Sequence, residues 1–74
     1  MNIEQALDHL NGHDVRAMIV KDGDLYAIVD GPLIKIGNYY TVQGLGVDEA
    51  FFYLTDVKEI YIKRDITIVM VELA

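Results

Sequence analysis

Few side chains among these 74 residues can do chemistry, and their spacing limits what they do. His9 and His13 are four apart, the interval that sets two metal ligands on one helical face, with Asp8 and Asp14 beside them. Gly12 stands between them and ends a helix, so the two imidazoles do not stack and no third ligand is specified. Solvated histidines at a helix end, with no metal site, are the expectation. Asp22 and Asp24 flank Gly23, but the later oxygen ligands and bidentate glutamate of a calcium loop are missing, so a hairpin turn explains them. Gly44-Leu45-Gly46 lacks the lysine and hydroxyl residues of a phosphate cradle and reads as a flexible loop.

The inventory removes several enzyme classes. Cysteine and serine are both absent, which excludes disulfides, thiolate zinc sites, cysteine nucleophiles and a Ser-His-Asp hydrolase. Thr41, Thr55 and Thr67 are internal strand or turn residues without the free amine or positioned base that a catalytic threonine uses. The carboxylates fall mostly in turns, where nothing raises a pKa for acid catalysis. No catalytic residue, metal or other cofactor is therefore expected, and the chain reads as a non-enzyme.

Two surfaces for macromolecular partners are written in the charges and aromatics. Tyr39 with Lys63 and Arg64 is a candidate stacking and cationic surface for single-stranded nucleic acid. Against it, 6 Lys+Arg face 12 Asp+Glu, a net charge of -6, where phosphate binding relies on excess base. The acids supply the opposite candidate. In a meander the first, third and fifth connections share one end, which would gather Asp22, Asp24, Asp48, Glu49 and Asp65 into an acidic rim able to imitate phosphates and inhibit a nucleic-acid-binding protein. Solvated turns explain the same residues without a partner.

These side chains are positioned by one helix and a series of short strands, in one domain spanning 1–74. Ile3, Ala6, Leu7 and Leu10 recur on one helical face over residues 2–11, started by an Asn2/Gln5 capping box and ended at Asn11-Gly12. Strands follow at 15–20, 25–29, 33–42, 50–54, 57–62 and 66–73. Asp22-Gly23 supplies a tight hairpin, Asp30-Gly31-Pro32 a second turn, and Gly37-Asn38 a bend within the third strand. The 43–49 stretch is the longest loop. Alternation then assigns Leu7, Leu10, Val15, Ala17, Ile19, Ile28, Ile34 and Ile36 to the core, with Tyr40, Val42, Phe52, Leu54, Ile60, Ile62, Ile68 and Met70. Tyr39, Phe51, Tyr53 and Tyr61 form the outward aromatic set. Closure into a five- to six-stranded antiparallel SH3-like barrel over 14–73 removes the edges that a flat sheet would expose.

Assembly is the strongest functional expectation. At 53% hydrophobic, the chain carries more apolar side chains than a core of this size hides, and the last strand is apolar on both faces. With Ile68 and Met70 turned inward, Tyr61, Val69, Val71 and Leu73 become the candidate oligomer interface. No apolar run approaches the ~18 residues of a membrane span, and the start has no cationic stretch or apolar signal core, so a cytoplasmic protein without a membrane partner is expected. Size and acidity fit a small accessory protein of a phage or bacterium.

Leu10-Asn11-Gly12 before the first strand, Lys21-Asp22-Gly23 with Tyr26 beyond it, and Ile62-Lys63-Arg64-Asp65 before the terminal strand resemble degenerate versions of the two motifs of the Sm-like family. The resemblance covers most of the chain and implies a short helix, a strongly bent five-stranded SH3-like barrel and ring assembly by edge pairing of the last two strands. It also implies RNA binding as an alternative to a plain interaction or scaffold role. The stretches Ile36 to Val42 and Phe51 to Asp56 are similar to SH3-like barrels more generally.

Overall fold

A computed structural model describes residues 2–46 and 48–74; Val47, within the 43–49 loop, lies outside the described residues. Helix α1 (Ile3–Leu10) begins at the expected capping box: the Asn2 side chain accepts from the Gln5 N–H at 2.8 Å, and Gln5 Oε1 accepts from the Asn2 N–H at 3.1 Å. Asn11 and Gly12, at φ +87°, end it, and the Gly12 N–H donates to the Leu33 carbonyl at 2.7 Å. Only Leu7 on this short helix is fully buried, with Ile3 and Leu10 packed at the margin, so the helix owes its stability to the sheet beneath it.

Six strands follow: β1 (Asp14–Lys21), β2 (Asp24–Ile36), β3 (Tyr39–Gln43), β4 (Glu49–Tyr53), β5 (Val57–Ile62) and β6 (Thr67–Leu73), with a 3₁₀ turn at Leu54–Asp56 between β4 and β5. They form one mixed sheet in the order β4-β3-β2-β1-β6-β5. The antiparallel expectation fails at one place: β6 runs parallel to β1, with Ala17 opposite Val69 and Ile19 opposite Val71. No ladder joins β4 to β5 among the described residues, so the sheet is open.

The turn chemistry of β2 differs from the sequence reading in an instructive way. Asp30-Gly31-Pro32 is not a turn but the midpoint of a continuous 13-residue strand. Its first part pairs with β1 as far as Pro32, and its second part pairs with β3 from Leu33 onward. Ladder alternation directs the Pro32 nitrogen toward β3, where the missing N–H ends that ladder. Beside it, a Cβ on Gly31 would overlap the Gln43 carbonyl, its carbon lying at 2.7 Å. Glycine thus lets the end of β3 lie tightly against β2. Gly37-Asn38, in contrast, is a true two-residue hairpin with Gly37 at φ +60° and Ile36 opposite Tyr39, matching a type II′ turn. The Asp22-Gly23 hairpin is as expected, both residues having positive φ.

These features fix which side chains are inside. Leu7, Val15, Ala17, Ile19, Tyr40, Val42 and Phe52 are buried as expected, while Leu10, Leu54, Ile60, Ile68 and Met70 are partly buried. Ile28, Ile34, Ile36 and Ile62 are exposed instead, and Val29, Leu33, Ala50, Val57, Val69 and Val71 join the core. A bulge between Ile19 and Val20 shifts the β1·β2 register by one residue, which brings Val29 rather than Ile28 opposite inward-facing Ala17. The Gly37-Asn38 hairpin likewise sets Leu33 opposite Val42, turning Ile34 and Ile36 outward. Among the described residues no helix is long and apolar enough to cross a membrane.

Candidate functional site

The sites expected from spacing are mostly dispersed. His9 and His13 are both exposed, His13 lies beyond the helix, and the described residues hold no cluster of three or more His, Cys, Asp or Glu. The acidic rim does not form. Parallel β1·β6 pairing inverts the parity of the meander, so Asp65 in the β5–β6 turn lies at the β1 end near Arg16, whereas Asp22 and Asp24 lie at the Lys21 end. Asp48 sits against Gly44, and so beside Val29 and Asp30. The nucleic-acid set is divided too. Tyr39 pairs with Tyr53, just before the 3₁₀ turn that leads into the start of β5, while Lys63 and Arg64 follow its far end, a strand length of about 17–20 Å away.

The expected oligomer surface requires a correction. Val69 and Val71 are fully buried in the chain's own core, because parallel register aligns them with Ala17 and Ile19 on the buried face. Leu73 is half-buried and packs against the same core; Tyr61 is exposed. The outward face of β6 is therefore Ile68 and Met70, the reverse of the expected assignment.

That outward face is continuous across four strands. One row runs Ile28, Met18, Met70, and the next runs Asp30, Arg16, Ile68, Tyr61, read from the registers of β2, β1, β6 and β5. The apolar members are half-buried or exposed, with Ile28 at 49% and Tyr61 at 44%. Polar pairs flank them. Arg16 donates through Nε and Nη2 to the two Asp30 carboxylate oxygens at 2.8 and 2.9 Å, a bidentate geometry that raises the Arg16 pKa and holds the Asp30 carboxyl below its ordinary value. Lys58 reaches Glu72 at 3.8 Å, and the Tyr61 hydroxyl donates to Glu59, a hydrogen bond that, together with the carboxylate's charge, raises the phenol pKa. A depression of about 370 Å³ lies between these groups, lined by Val20, Lys58, Tyr61, Met70 and Glu72. Both members of each ion pair are solvent-accessible, so they orient the surface more than they stabilise the fold.

A second apolar surface lies at the opposite edge of the sheet. Tyr39, Phe51 and Tyr53 cluster on the outer face of β3 and β4, with ring centroids 5.9 and 6.4 Å apart around Tyr39. Their outward direction follows the expected alternation, Tyr40 and Phe52 stacking inside at 5.9 Å. Thr41, between Ile34 and Phe51, is buried with a hydroxyl that has no hydrogen-bond partner among the described residues.

The Arg16–Asp30 pair was not legible in the sequence, since without the bulge Arg16 would face Val29. The apolar band across β1 and β6 had a signal, the uninterrupted apolar run Ile68 to Val71, but only the parallel pairing shows which half of it is outside. What the arrangement offers is contact area, polar rims and a free strand edge. Comparison of this chain with protein-family models, with curated proteins and with solved structures gave no match.

Proposed function

We propose that this chain is a non-catalytic interaction module that associates with itself through the outer face of β1, β2, β5 and β6. The observation carrying this reading is that the central β1·β6 ladder is apolar on both sides: Ala17, Ile19, Val69 and Val71 fill the core, and Met18, Ile68 and Met70 face outward beside Ile28. A sheet with one solvated face alternates with polar residues there, whereas an apolar outer face rimmed by charge is the usual form of a protein contact. The close approach of β3 to β2 at Gly31, the division of β2 between β1 and β3 as partners and the 3₁₀ turn between the two edge strands support an SH3-like barrel as the architecture. A ring built by strand-edge pairing is less well supported than a face-to-face contact, because β5 is bulged between Val57 and Glu59, carries Lys58 and Glu59, and packs against α1.

The non-catalytic part of the reading rests on the absence of cysteine and serine and on the placement of Asp22 and Asp24 at the opposite end of β1 from Asp65. Light scattering on the eluting protein tests the assembly. The wild type should run at a multiple of 8.4 kDa, and Met70→Lys should return it to monomer with an unchanged circular dichroism spectrum. Val69→Asp should unfold the chain rather than dissociate it, since it buries a carboxylate. A monomeric wild type, or an assembly that survives Met70→Lys, would refute the proposal.

A further inference from the structure

The two edges of this sheet are protected very differently, and β4 is the open one. The Gly44 N–H donates to the Asp48 carbonyl at 2.8 Å, which makes this the narrow pair of the β3–β4 hairpin. Alternation then gives the inward hydrogen bonds to Ala50 and Phe52 and directs the backbone groups of Glu49, Phe51 and Tyr53 away from β3. An independent contact agrees: the Tyr53 N–H, pointing away, donates to Asp56 Oδ2 at 2.9 Å. Phe51 is left with an N–H and a carbonyl facing outward in the middle of the edge. β4 has no lysine, proline or bulge to blunt it, unlike β5.

Two cavities flank Phe51 along this edge. One, of about 350 Å³, is lined by Tyr39, Phe51, Tyr53, Asp56 and Leu73; the other, of about 120 Å³, by Ile19, Ala27, Glu49, Ala50 and Leu73. Both are walled mainly by carbon, and each has one carboxylate. Among the described residues lining them none is basic, and the nearby Lys21 already stacks on the Tyr26 ring at 5.8 Å.

We infer that β4 takes up an extended segment of another protein as an added strand, and that this segment alternates apolar with basic side chains. Outward N–H and carbonyl groups on Phe51 bond its backbone, the cavities take apolar side chains, and Glu49 and Asp56 at the two ends pair with its cations. Charge excludes a second copy as the occupant. Antiparallel pairing of β4 with itself about Phe51 would bring Asp48 and Glu49 of one chain toward Asp56 of the other, in a protein already carrying a net charge of -6. The cavities at β4 use Ile19 and Leu73, whereas the self-association face uses outward-facing Met18, Ile68 and Met70, so this site stands or falls independently of self-association.

The probe is a fluorescent hexapeptide of alternating valine and lysine, titrated into the full chain by anisotropy. Saturable binding that weakens with salt is expected, with loss of binding when every peptide nitrogen is methylated. Alternating valine and glutamate should not bind. Glu49→Lys, at an exposed position, should weaken binding about fivefold. Phe51→Pro should abolish it while circular dichroism stays unchanged, since the Phe51 N–H serves no ladder bond. Met70→Lys should leave binding intact. Absence of binding, equal binding of the methylated peptide, or binding indifferent to both Glu49→Lys and Phe51→Pro would overturn the inference. So would an oligomer that Phe51→Pro dissociates, because a second copy would then hold the edge.

Discussion

Gly31→Ala tests the close approach of β3 to β2. The new Cβ would overlap the carbonyl oxygen of Gln43 and lie 2.7 Å from its carbon, where ordinary contact begins near 3.4 Å. Both atoms belong to backbone, so no rotamer change relieves them. The β3–β4 hairpin would have to retreat by roughly an ångström from β2, opening the seam over Val42 and Leu33, both fully buried. Overpacking costs about 1–3 kcal/mol, and a clash with backbone belongs at or above the top of that range. A chain of this length has only about 4–11 kcal/mol of stability in total, so about 3 kcal/mol is a large share. With a urea m-value of about 1 kcal/mol/M for a small domain, the unfolding midpoint should fall by about 3 M. Gly44→Ala is the comparison, because its Cβ would meet Asp48 Cβ at 3.1 Å, Val29 Cγ1 at 3.2 Å and the Asp30 carbonyl oxygen at 3.4 Å, contacts that need a much smaller shift than the overlap at Gly31, and should cost about 1 kcal/mol. Equal midpoints for the two variants would refute the role given to Gly31.

Thr41→Val removes a buried hydroxyl without a partner and keeps the side-chain shape, so it should stabilise by about 1 kcal/mol and raise Tm by about 4–8 °C in calorimetry. Asp30→Asn should lower the urea midpoint at neutral pH. Because Arg16 depresses the Asp30 pKa below 3.8 in the folded chain, that contribution is present above pH 3.8 and is lost as pH falls through the folded value, so the midpoints of variant and wild type should converge in acid. Short single-stranded RNA should give no saturable binding at low salt, since the only adjacent basic residues, Lys63 and Arg64, lie a strand length from the Tyr39 cluster.

Features that depend on near neighbours in the chain were legible without the structure. Asn2, Gln5 and Gly12 set the ends of the helix, Asp22-Gly23 set the first hairpin, and the apolar strand runs set a mainly β domain with Tyr40, Val42 and Phe52 inside. The reason is that capping, turn angles and period-two alternation act over two to four residues. Long-range pairing settled which face of each strand is buried and which ends lie together. One extra residue at the Ile19/Val20 bulge exchanged Ile28 for Val29 and set Arg16 against Asp30. Reading Gly37-Asn38 as a bend rather than a hairpin reversed Ile34 and Ile36. Parallel pairing of β6 with β1 carried Val69 and Val71 inward, left Ile68 and Met70 as the outer surface and scattered the acids. A strand apolar on both faces has no local feature that says which side is the core; its neighbour's register says it, and that pairing joins residues some fifty positions apart.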